Sequence, residues 1–308
     1  MSVKTQLKVG SKNVEVSNLD KVLYPATGFT KGQMIDYYVN IAPVLLPHLK
    51  ARPITLKRYP DGVDGMFFYE KQRPSHAPEW IETVDVGKSD GEIIHYCMIN
   101  SLPALVWAAN LANLEFHPFL HRATALLKPT SLVFDLDPGE GTDIIQCCEV
   151  ALWIKSMFDA LNLESFAKTS GSKGLQMVVP LNTATSYEKT KPFAHAVAQA
   201  LEQRFPKAVV SKMQKELRKG RVLVDWSQND DHKTTVGVYS LRAKQSPTVS
   251  TPVEWEEVEK AYKGKKAAAL SFNFAAALKR VEKLGDLFAP VLKLRQKLPS
   301  ISAVGGEE

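Results

Sequence analysis

The alternating run at residues 131–137 is the feature that most constrains the fold of this chain. Leu132, Phe134 and Leu136 occupy every second position, which is the two-residue period of a β-strand. Asp135 and Asp137 therefore share the opposite face, about 6–7 Å apart at the usual rise per residue. A Pro-Gly dipeptide then ends the strand, because proline offers no N–H to a ladder and glycine tolerates turn geometry. The sequence predicts a strand that carries two carboxylates on one face at its end.

A third acidic residue extends this prediction to a metal site. Two carboxylates on one face repel each other unless a cation lies between them, and hard oxygen ligands suit Mg²⁺ or Mn²⁺. Asp225 lies in a second predicted strand, at residues 221–226, where a carboxylate is costly to bury without a partner. One possibility is that Asp225 forms a salt bridge with a structural role. The alternative is that it joins Asp135 and Asp137 in a cage for two divalent ions, as in two-metal catalysis.

The loop at residues 169–174 has a composition suited to phosphate. Its sequence, TSGSKG, combines two glycines with hydroxyls and Lys173, so backbone N–H groups can approach phosphate oxygens. It lacks the spacing of a Walker A loop, and an ordinary turn before an apolar strand at 175–179 is the alternative. His117 and Arg242, the latter after a predicted strand at 236–241, also suit an anion. A structural histidine and a surface ion pair are their alternatives.

Helices alternate with the predicted strands along the chain. Thr30 is predicted to cap a helix to about residue 46 and Thr142 a longer helix, and residues 251–254 have the pattern of a capping box with proline at the first helical position. No flexible linker interrupts the pattern, so we expect an α/β (α+β) fold. We expect one catalytic domain over residues 1–298, with an N-terminal subdomain at about 1–100, a catalytic core at about 101–290 and a disordered tail at 299–308.

Composition narrows the class of protein. The chain carries 39 basic and 33 acidic residues, a net charge of +6, which is compatible with a polyanionic partner. It has no uninterrupted apolar run of about 18 residues, so no membrane span is expected, and its first residues lack the apolar core of a signal peptide. Cys97, Cys147 and Cys148 show no zinc-ligand spacing. Reduced thiols in the cytoplasm are therefore expected, and no zinc.

The motifs, taken in this order, resemble the polymerase domain of bacterial ligase D, a family of end-joining repair polymerases in the archaeo-eukaryotic primase superfamily. The resemblance covers nearly all of the chain up to the last predicted helix. It implies a primase-polymerase catalytic core with a central, mostly antiparallel sheet flanked by helices. The matching stretches are residues 18–25 (NLDKVLYP), 135–141 (DLDPGEG), 170–174 (SGSKG), 225–229 (DWSQN) and 239–243 (YSLRA).

The same resemblance implies roles for individual residues. It implies that Asp135, Asp137 and Asp225 are catalytic and bind two metal ions, with Mn²⁺ the favoured activator and Mg²⁺ the alternative. Lys31 also stands at a predicted helix N-terminus, which favours anions. The other implied roles are nucleotide binding by His117, Ser170, Ser172, Lys173, Gln228, Arg242 and Lys57, binding of a DNA 5′-phosphate by Asn18, Lys21 and Lys31, and template stacking by Phe67 and Phe68.

The implied activity is that of a template-dependent nucleotidyltransferase which fills gaps and extends ends with ribo- or deoxynucleotides. The implied partners are DNA gaps, double-strand-break ends and nucleoside triphosphates, with Ku and a DNA ligase as further candidates, in a nucleoid-associated bacterial protein. One residue departs from the family pattern, since members usually carry Leu-His after the phosphate loop and Gln176 stands here. Glutamine forms hydrogen bonds but carries no charge, which bears on nucleotide affinity and sugar preference rather than on the reaction class.

Two other functions compete with this interpretation. A non-catalytic DNA-end-binding module would keep the basic 5′-phosphate pocket, but the three carboxylates speak against it. A D-x-D phosphohydrolase needs Thr or Val two residues after its second aspartate, where Gly139 stands, and its motif normally opens the domain. For Phe67 and Phe68, a split between core and surface is the alternative to stacking on bases.

Overall fold

The computed structural model describes residues 4–87 and 90–304. The chain forms two compact units whose segments interleave along the sequence. The first unit contains Met1–Thr124, Thr234–Ser250 and Phe272–Asp286, and the second contains Ala125–Lys233, Thr251–Ser271 and Leu287–Glu308.

Strands outnumber helices in both units. The strands are β1 (Lys4–Val9), β2 (Lys12–Ser17), β3 (Val22–Tyr24), β4 (Phe29–Thr30), β5 (Pro53–Arg58), β6 (Phe68–Glu70), β7 (Thr83–Gly87), β8 (Ile93–Met98), β9 (Asn113–Pro118), β10 (His121–Arg122), β11 (Ala125–Pro129), β12 (Ser131–Pro138), β13 (Phe166–Thr169), β14 (Leu175–Pro180), β15 (Val209–Val210), β16 (Val222–Asp225), β17 (Leu241–Arg242), β18 (Thr248–Val249) and β19 (Pro252–Val253). The α-helices are α1 (Lys31–Leu49), α2 (Leu102–Asn110), α3 (Ile144–Ala160), α4 (Tyr187–Arg204), α5 (Trp255–Gly264) and α6 (Phe274–Leu284). Short 3₁₀ turns lie at Lys215–Arg218, Ala267–Leu270, Ala289–Leu292 and Ile301–Val304.

The first unit is built on a sheet in which β5 pairs antiparallel with β6, β8 and β9, and β8 pairs with β7. The long helix α1 packs beside α2 and α6. Thr30 caps α1 as predicted, and Gln33 completes a capping box. The helix runs to Leu49, beyond the expected end near residue 46, because its buried stripe continues through Leu45 and Leu49.

The second unit is built on a six-stranded sheet in the order β15-β16-β12-β14-β13-β19. Every pairing is antiparallel except β15 with β16. The central strand β12 packs against α3 and α4, and its apolar residues are buried. The buried side chain of Asn229 forms two hydrogen bonds with the backbone of Val133, of 2.9 and 2.7 Å. This fixes the segment after β16 to the middle of β12.

Three local predictions were wrong. Asp143, not Thr142, caps α3, because the Thr142 hydroxyl donates to the carbonyl of Gly139 at 2.9 Å. Residues 251–254 do not begin a helix; Pro252–Val253 pair with β13, and α5 begins after a cap at Glu254. The strand predicted at 236–241 is reduced to β17, because Tyr239 takes a left-handed φ of 63° that no ladder accommodates.

The fold class is confirmed as mixed α/β, with a central, mostly antiparallel sheet flanked by helices. Cys97, Cys147 and Cys148 are buried free thiols. Among the described residues, no helix has the length and apolarity to cross a membrane. The subdomain boundaries stay a prediction. Of the predicted tail, Ile301–Val304 form a 3₁₀ turn and residues 305–308 lie outside the described residues.

Candidate active site

In the second unit, the predicted metal ligands meet on one face of the sheet. Asp135 on β12 lies directly opposite Asp225 on β16, and directly opposed residues of an antiparallel pair share a face. Asp137 follows two positions later on the same face. On its other side, Asp135 lies opposite Gln176 of β14. The register thus brings Asp225 beside two carboxylates from which it is distant in sequence.

The electrostatics of this cluster favour a positive charge beside Asp135. Burial, followed by the charge of Asp137, raises the pKa of the Asp135 carboxyl to about 7, with a smaller contribution from Asp225. A hydrogen bond from Gln176 and the charge of Lys168 oppose that rise. Two like charges around a buried carboxylate destabilise its ionised form, and a bound cation reverses that effect.

The three carboxylates do not form a ready-made metal cage. Within residues 4–87 and 90–304, no group of three or more His, Cys, Asp or Glu side chains is arranged to hold a metal ion. The carboxylate of Asp225 is held by its neighbours: its Oδ1 accepts hydrogen bonds from the N–H and hydroxyl of Ser227, and its Oδ2 accepts one from Gln228 at 3.0 Å. Because each carboxylate oxygen has two lone pairs, Oδ2 can accept this hydrogen bond and still bind a cation.

The chemistry of the donor set nevertheless fits a divalent cation. Oδ1 of Asp135 is buried and has no hydrogen-bond partner, and a buried carboxylate oxygen is costly to leave unpaired. Oxygen ligands of this kind suit Mg²⁺ and Mn²⁺. Asp135 is therefore the carboxylate best placed to gain from a bound ion.

The predicted phosphate loop folds as a compact turn before β14. The backbone N–H of Ser170 donates to the carbonyl of Gly174 at 3.0 Å, and the Ser170 hydroxyl accepts hydrogen bonds from the N–H groups of Ser172 and Gly174. Ser172 and Lys173 are exposed. A Cβ at Gly174 would lie 2.1 Å from the carbonyl oxygen of Leu136. The loop therefore packs against the strand segment between Asp135 and Asp137, an approach that only glycine permits.

In the first unit, three of the predicted nucleotide-binding residues surround one buried carboxylate, Glu115. Lys57 lies opposite Glu115 in the β5–β9 register, with Nζ 3.8 Å from Oε1, and Nε of Arg242 lies 3.4 Å from the same oxygen. His117 donates through Nε2 to Oε2 at 2.8 Å. The N–H of Ala243 donates to Oε1 at 3.1 Å. Glu115 thus holds His117, Lys57 and Arg242 together.

The sequence-based prediction missed Glu115 as a functional residue. Burial acts to raise its pKa, but His117, Arg242 and Lys57 together hold that pKa well below the usual range. The carboxylate is therefore ionised although its side chain is only 2% exposed. The sequence did offer one indication of this role. Glu115 stands two residues before His117, and alternate residues of one strand share a face.

Replacing Glu115 by glutamine is expected to destabilise the protein by about 2–4 kcal/mol at neutral pH, because the partly buried Lys57 and Arg242 lose their counter-charge. Because folding lowers the pKa of the Glu115 carboxyl, its ionised form stabilises the folded protein. This contribution is fully present at pH values above the ordinary pKa of 4.5 and is lost as pH falls below it. Chemical denaturation at pH 7 measures the difference. The control is Glu15→Gln, whose ion pair with Lys4 is 50–62% exposed, with an expected change within about 0.5 kcal/mol. Equal stability of Glu115→Gln and the native protein would contradict this role.

The predicted 5′-phosphate residues also lie close together in the first unit. Asn18 takes a left-handed φ of 53° in the turn that Lys21 closes by donating its N–H to the Asn18 carbonyl. Nζ of Lys21 lies 3.0 Å from a carboxylate oxygen of Asp61. Lys31 is 5% exposed, and its ammonium donates to the carbonyl of Ser17 at 2.7 Å. Burial, Lys21 and Arg58 lower the pKa of Lys31 to about 8.

The N-terminus of α1 contributes less to this site than its position suggested. The N–H groups of Lys31 and Gly32 donate to the carbonyls of Lys21 and Leu19, at 2.8 and 2.7 Å, and the N–H of Gln33 donates to the Thr30 hydroxyl. Because the chain itself satisfies these amides, an anion bound here would depend on lysine side chains.

The predicted stacking residues are exposed. Phe67 is 50% and Phe68 43% exposed. One ring face of Phe67 stacks on Tyr59, with centroids 5.3 Å apart, and Nζ of Lys57 lies 4.6 Å from the Phe67 centroid. The guanidinium of Arg58 lies 4.9 Å from the Phe68 centroid. Neither ring is a core residue, although their contact with bases stays a prediction.

Comparison with known proteins gives concordant matches. The family model described as LigD, primase-polymerase domain, matches residues 30–288. A Multifunctional non-homologous end joining protein LigD from Mycolicibacterium smegmatis is 43% identical over 282 residues, which is 91% of this chain and 36% of that protein. A Bifunctional non-homologous end joining protein LigD from Bacillus subtilis is 29% identical over 94% of this chain and 46% of its own length.

A solved structure matches at the level of the fold and the sequence. The Polymerase Domain from Mycobacterium tuberculosis Ligase D, in complex with DNA, superposes with a TM-score of 0.84 at 40% identity, covering 90% of this chain and 97% of that one. The chain thus spans about a third to a half of the curated relatives named above, but nearly all of this solved domain.

Proposed function

Because the chain belongs to the LigD primase-polymerase family, we propose that it is a template-dependent nucleotidyltransferase that fills gaps and extends ends in DNA repair. The observation that carries this proposal is the register that sets Asp135 opposite Asp225, with Asp137 on the same face. The DNA in the matched polymerase-domain structure supports DNA as the partner. Ku, a DNA ligase and association with the nucleoid remain predictions from the resemblance.

We propose that Asp135, Asp137 and Asp225 hold two divalent ions. When bound, such ions neutralise charge on phosphate oxygens and lower the barrier to in-line phosphoryl displacement. The protein's contribution is to hold its own carboxylates on one rigid strand pair. Hydrogen bonds from Ser227 and Gln228 orient the Asp225 carboxylate, whose Oδ2 can still bind an ion through its second lone pair.

We assign phosphate binding to two groups of residues, one on each unit. On the second unit, Ser170, Ser172 and Lys173 form the loop before β14, and Lys173 is an exposed point charge suited to phosphate. Gln228 is a further candidate there. On the first unit, Lys57, His117 and Arg242 are held by Glu115. Preorganised hydrogen-bond donors of this kind, two of them charged, stabilise charge on a triphosphate without reorganising during the reaction.

The test of the proposed function is extension of a gapped, 5′-phosphorylated duplex with ribo- or deoxynucleotides, in Mg²⁺ and in Mn²⁺. Templated addition that depends on the metal is the expected result. Binding of the duplex without incorporation under either metal would favour a non-catalytic DNA-end-binding module. Steady phosphate release from small phosphoesters without nucleic acid would favour a D-x-D phosphohydrolase instead.

We further propose that Lys21 and Lys31 bind the downstream 5′-phosphate and that affinity for it depends on pH. The pKa of Lys31 is lowered to about 8, so in the free protein this lysine loses its charge as pH rises above that value. Binding a phosphate then requires proton uptake. The preference for a 5′-phosphate over a 5′-hydroxyl gap is expected to fall about tenfold between pH 7 and pH 9.

Fluorescence anisotropy with the two gapped duplexes at both pH values measures this preference. The control is Lys31→Met, which should show a smaller preference at pH 7 and little further change at pH 9. Since a phosphate monoester is almost fully ionised above its second pKa of about 6, the ligand does not titrate in this range. Equal affinity for both gaps at pH 7 would remove Lys21 and Lys31 from this role.

A further inference from the structure

A row of polar side chains crosses four adjacent strands of the second unit. In the antiparallel register, Asp225 lies opposite Asp135, Asp135 opposite Gln176, and Gln176 opposite Lys168 of β13. All four side chains therefore share one face of the sheet. Gln176 is 2% and Lys168 3% exposed. A lysine this deeply buried is unusual unless it is paired.

The chemistry of Lys168 fixes the orientation of the Gln176 amide. The Lys168 ammonium donates to Oε1 of Gln176, and an ammonium group can only donate. The amide oxygen must therefore face Lys168, which leaves the amide NH₂ to donate to Asp135, as the hydrogen bond between Gln176 and Asp135 requires. Lys168 therefore donates to Gln176, and Gln176 donates to Asp135, so that both hydrogen bonds run in the same direction.

These hydrogen bonds restrain the Asp135 side chain while leaving one of its carboxylate oxygens available. The amide of Gln176 restrains the Asp135 carboxylate. Oδ1 of Asp135, however, is buried and has no hydrogen-bond partner. A carboxylate held in this way offers an oxygen in a fixed position. Residues that orient a metal ligand through a hydrogen bond influence metal affinity and activity nearly as much as the ligand does.

Building on the proposed polymerase function, we infer that Lys168 is a positioning residue which, through Gln176, orients the Asp135 carboxylate to bind a divalent cation. The competing explanation is that Lys168 only offsets the negative charge of the cluster. The two explanations differ in one respect. An orienting role requires Gln176, whereas a through-space charge effect does not.

The test is a double-mutant cycle with Lys168→Met, Gln176→Met and the double variant, using the free Mn²⁺ signal in electron paramagnetic resonance to measure Mn²⁺ binding without nucleic acid. Each single change is expected to weaken Mn²⁺ binding about tenfold. The double variant should be no more than about threefold weaker than either single variant, because both changes interrupt the same series of hydrogen bonds. Nucleotide incorporation at saturating Mn²⁺ gives a second readout and should fall by a similar factor.

The control is Lys155→Met on α3, which removes a lysine that is 28% exposed and paired with Asp159 and should bind Mn²⁺ as the native protein does. Thermal unfolding checks that each variant is folded; if Lys168→Met is not, Gln176→Met alone must still show the tenfold loss. Native-like binding by either single variant, or effects that multiply in the double variant, would overturn the inference while leaving the proposed function intact. Failure of the native protein both to bind Mn²⁺ and to incorporate nucleotides would overturn the two together.

Discussion

Replacing Asp135 by asparagine is expected to reduce nucleotide incorporation at least about a thousandfold, while making the metal-free protein more stable. Asparagine keeps the shape and a hydrogen-bonding oxygen but removes the charge that a cation requires. It also removes the repulsion from Asp137 and Asp225 that, after burial, raises the pKa of Asp135 to about 7. A loss of activity that accompanies a gain in stability is the signature of a functional rather than a structural residue.

The sign of the stability change depends on pH. When folding raises the pKa of a carboxyl, its protonated form favours the folded state. That contribution to stability is fully present below the ordinary pKa and is lost as pH rises through the pKa of the folded state. The advantage of the Asp135→Asn variant should therefore be about 2–4 kcal/mol at pH 8 in a chelating buffer and should disappear near pH 4. Denaturant unfolding at both pH values measures it.

A matched control for this prediction is Asp159→Asn, an exposed change on α3 that should alter neither activity nor stability appreciably. If Asp135→Asn retained more than a tenth of native incorporation with both Mg²⁺ and Mn²⁺, the carboxylate cluster could not be the catalytic centre.

Replacing Gly174 by alanine is expected to lower incorporation about a hundredfold and to destabilise the protein by about 1–3 kcal/mol or more. The added Cβ would lie 2.1 Å from the Leu136 carbonyl oxygen and 3.4 Å from Cδ of Pro138. Because backbone cannot yield as a flexible side chain does, either the loop or β12 must shift. Both carry proposed active-site residues.

Single-turnover incorporation and thermal unfolding of Gly174→Ala measure the two effects. The control is Gly264→Ala in α5 of the same unit, where the added Cβ would meet only Lys266 side-chain atoms at 3.6 Å or more and alanine favours the helix. That variant should be as active as the native protein and at least as stable. Native-like activity in Gly174→Ala would show that the close approach of loop to strand is not needed for catalysis.

The local pattern of the sequence was sufficient for much of the fold. Two-residue alternation placed Asp135 and Asp137 on one face of β12, and the hydroxyl of Thr30 identified the start of α1. The errors arose where tertiary pairing overrode local propensity. Pro252 and Val253 have the pattern of a helix start, yet they form the edge strand β19 by pairing with β13.

The sequence suggested candidate site residues one by one, but it could not suggest the contacts among them. The family resemblance pointed to Lys57, His117 and Arg242, whereas the structure showed that Glu115 holds them, through a carboxylate 127 positions away from Arg242 along the chain. Sequence patterns report on neighbours within a few residues. They carry no information about which distant charge neutralises a buried one.

What the sequence determined by itself is therefore the chemistry on each element: two carboxylates at the end of one strand, a glycine-hydroxyl-lysine loop, and lysines around the start of one helix. The tertiary structure decided what these groups face. The sheet register sets Asp225 and Gln176 on either side of Asp135 and adds Lys168 to the row, while loop carbonyls take the first amides of α1. The physical reason is that periodicity is a local property of the chain, whereas register, burial and charge pairing arise only when distant segments pack together.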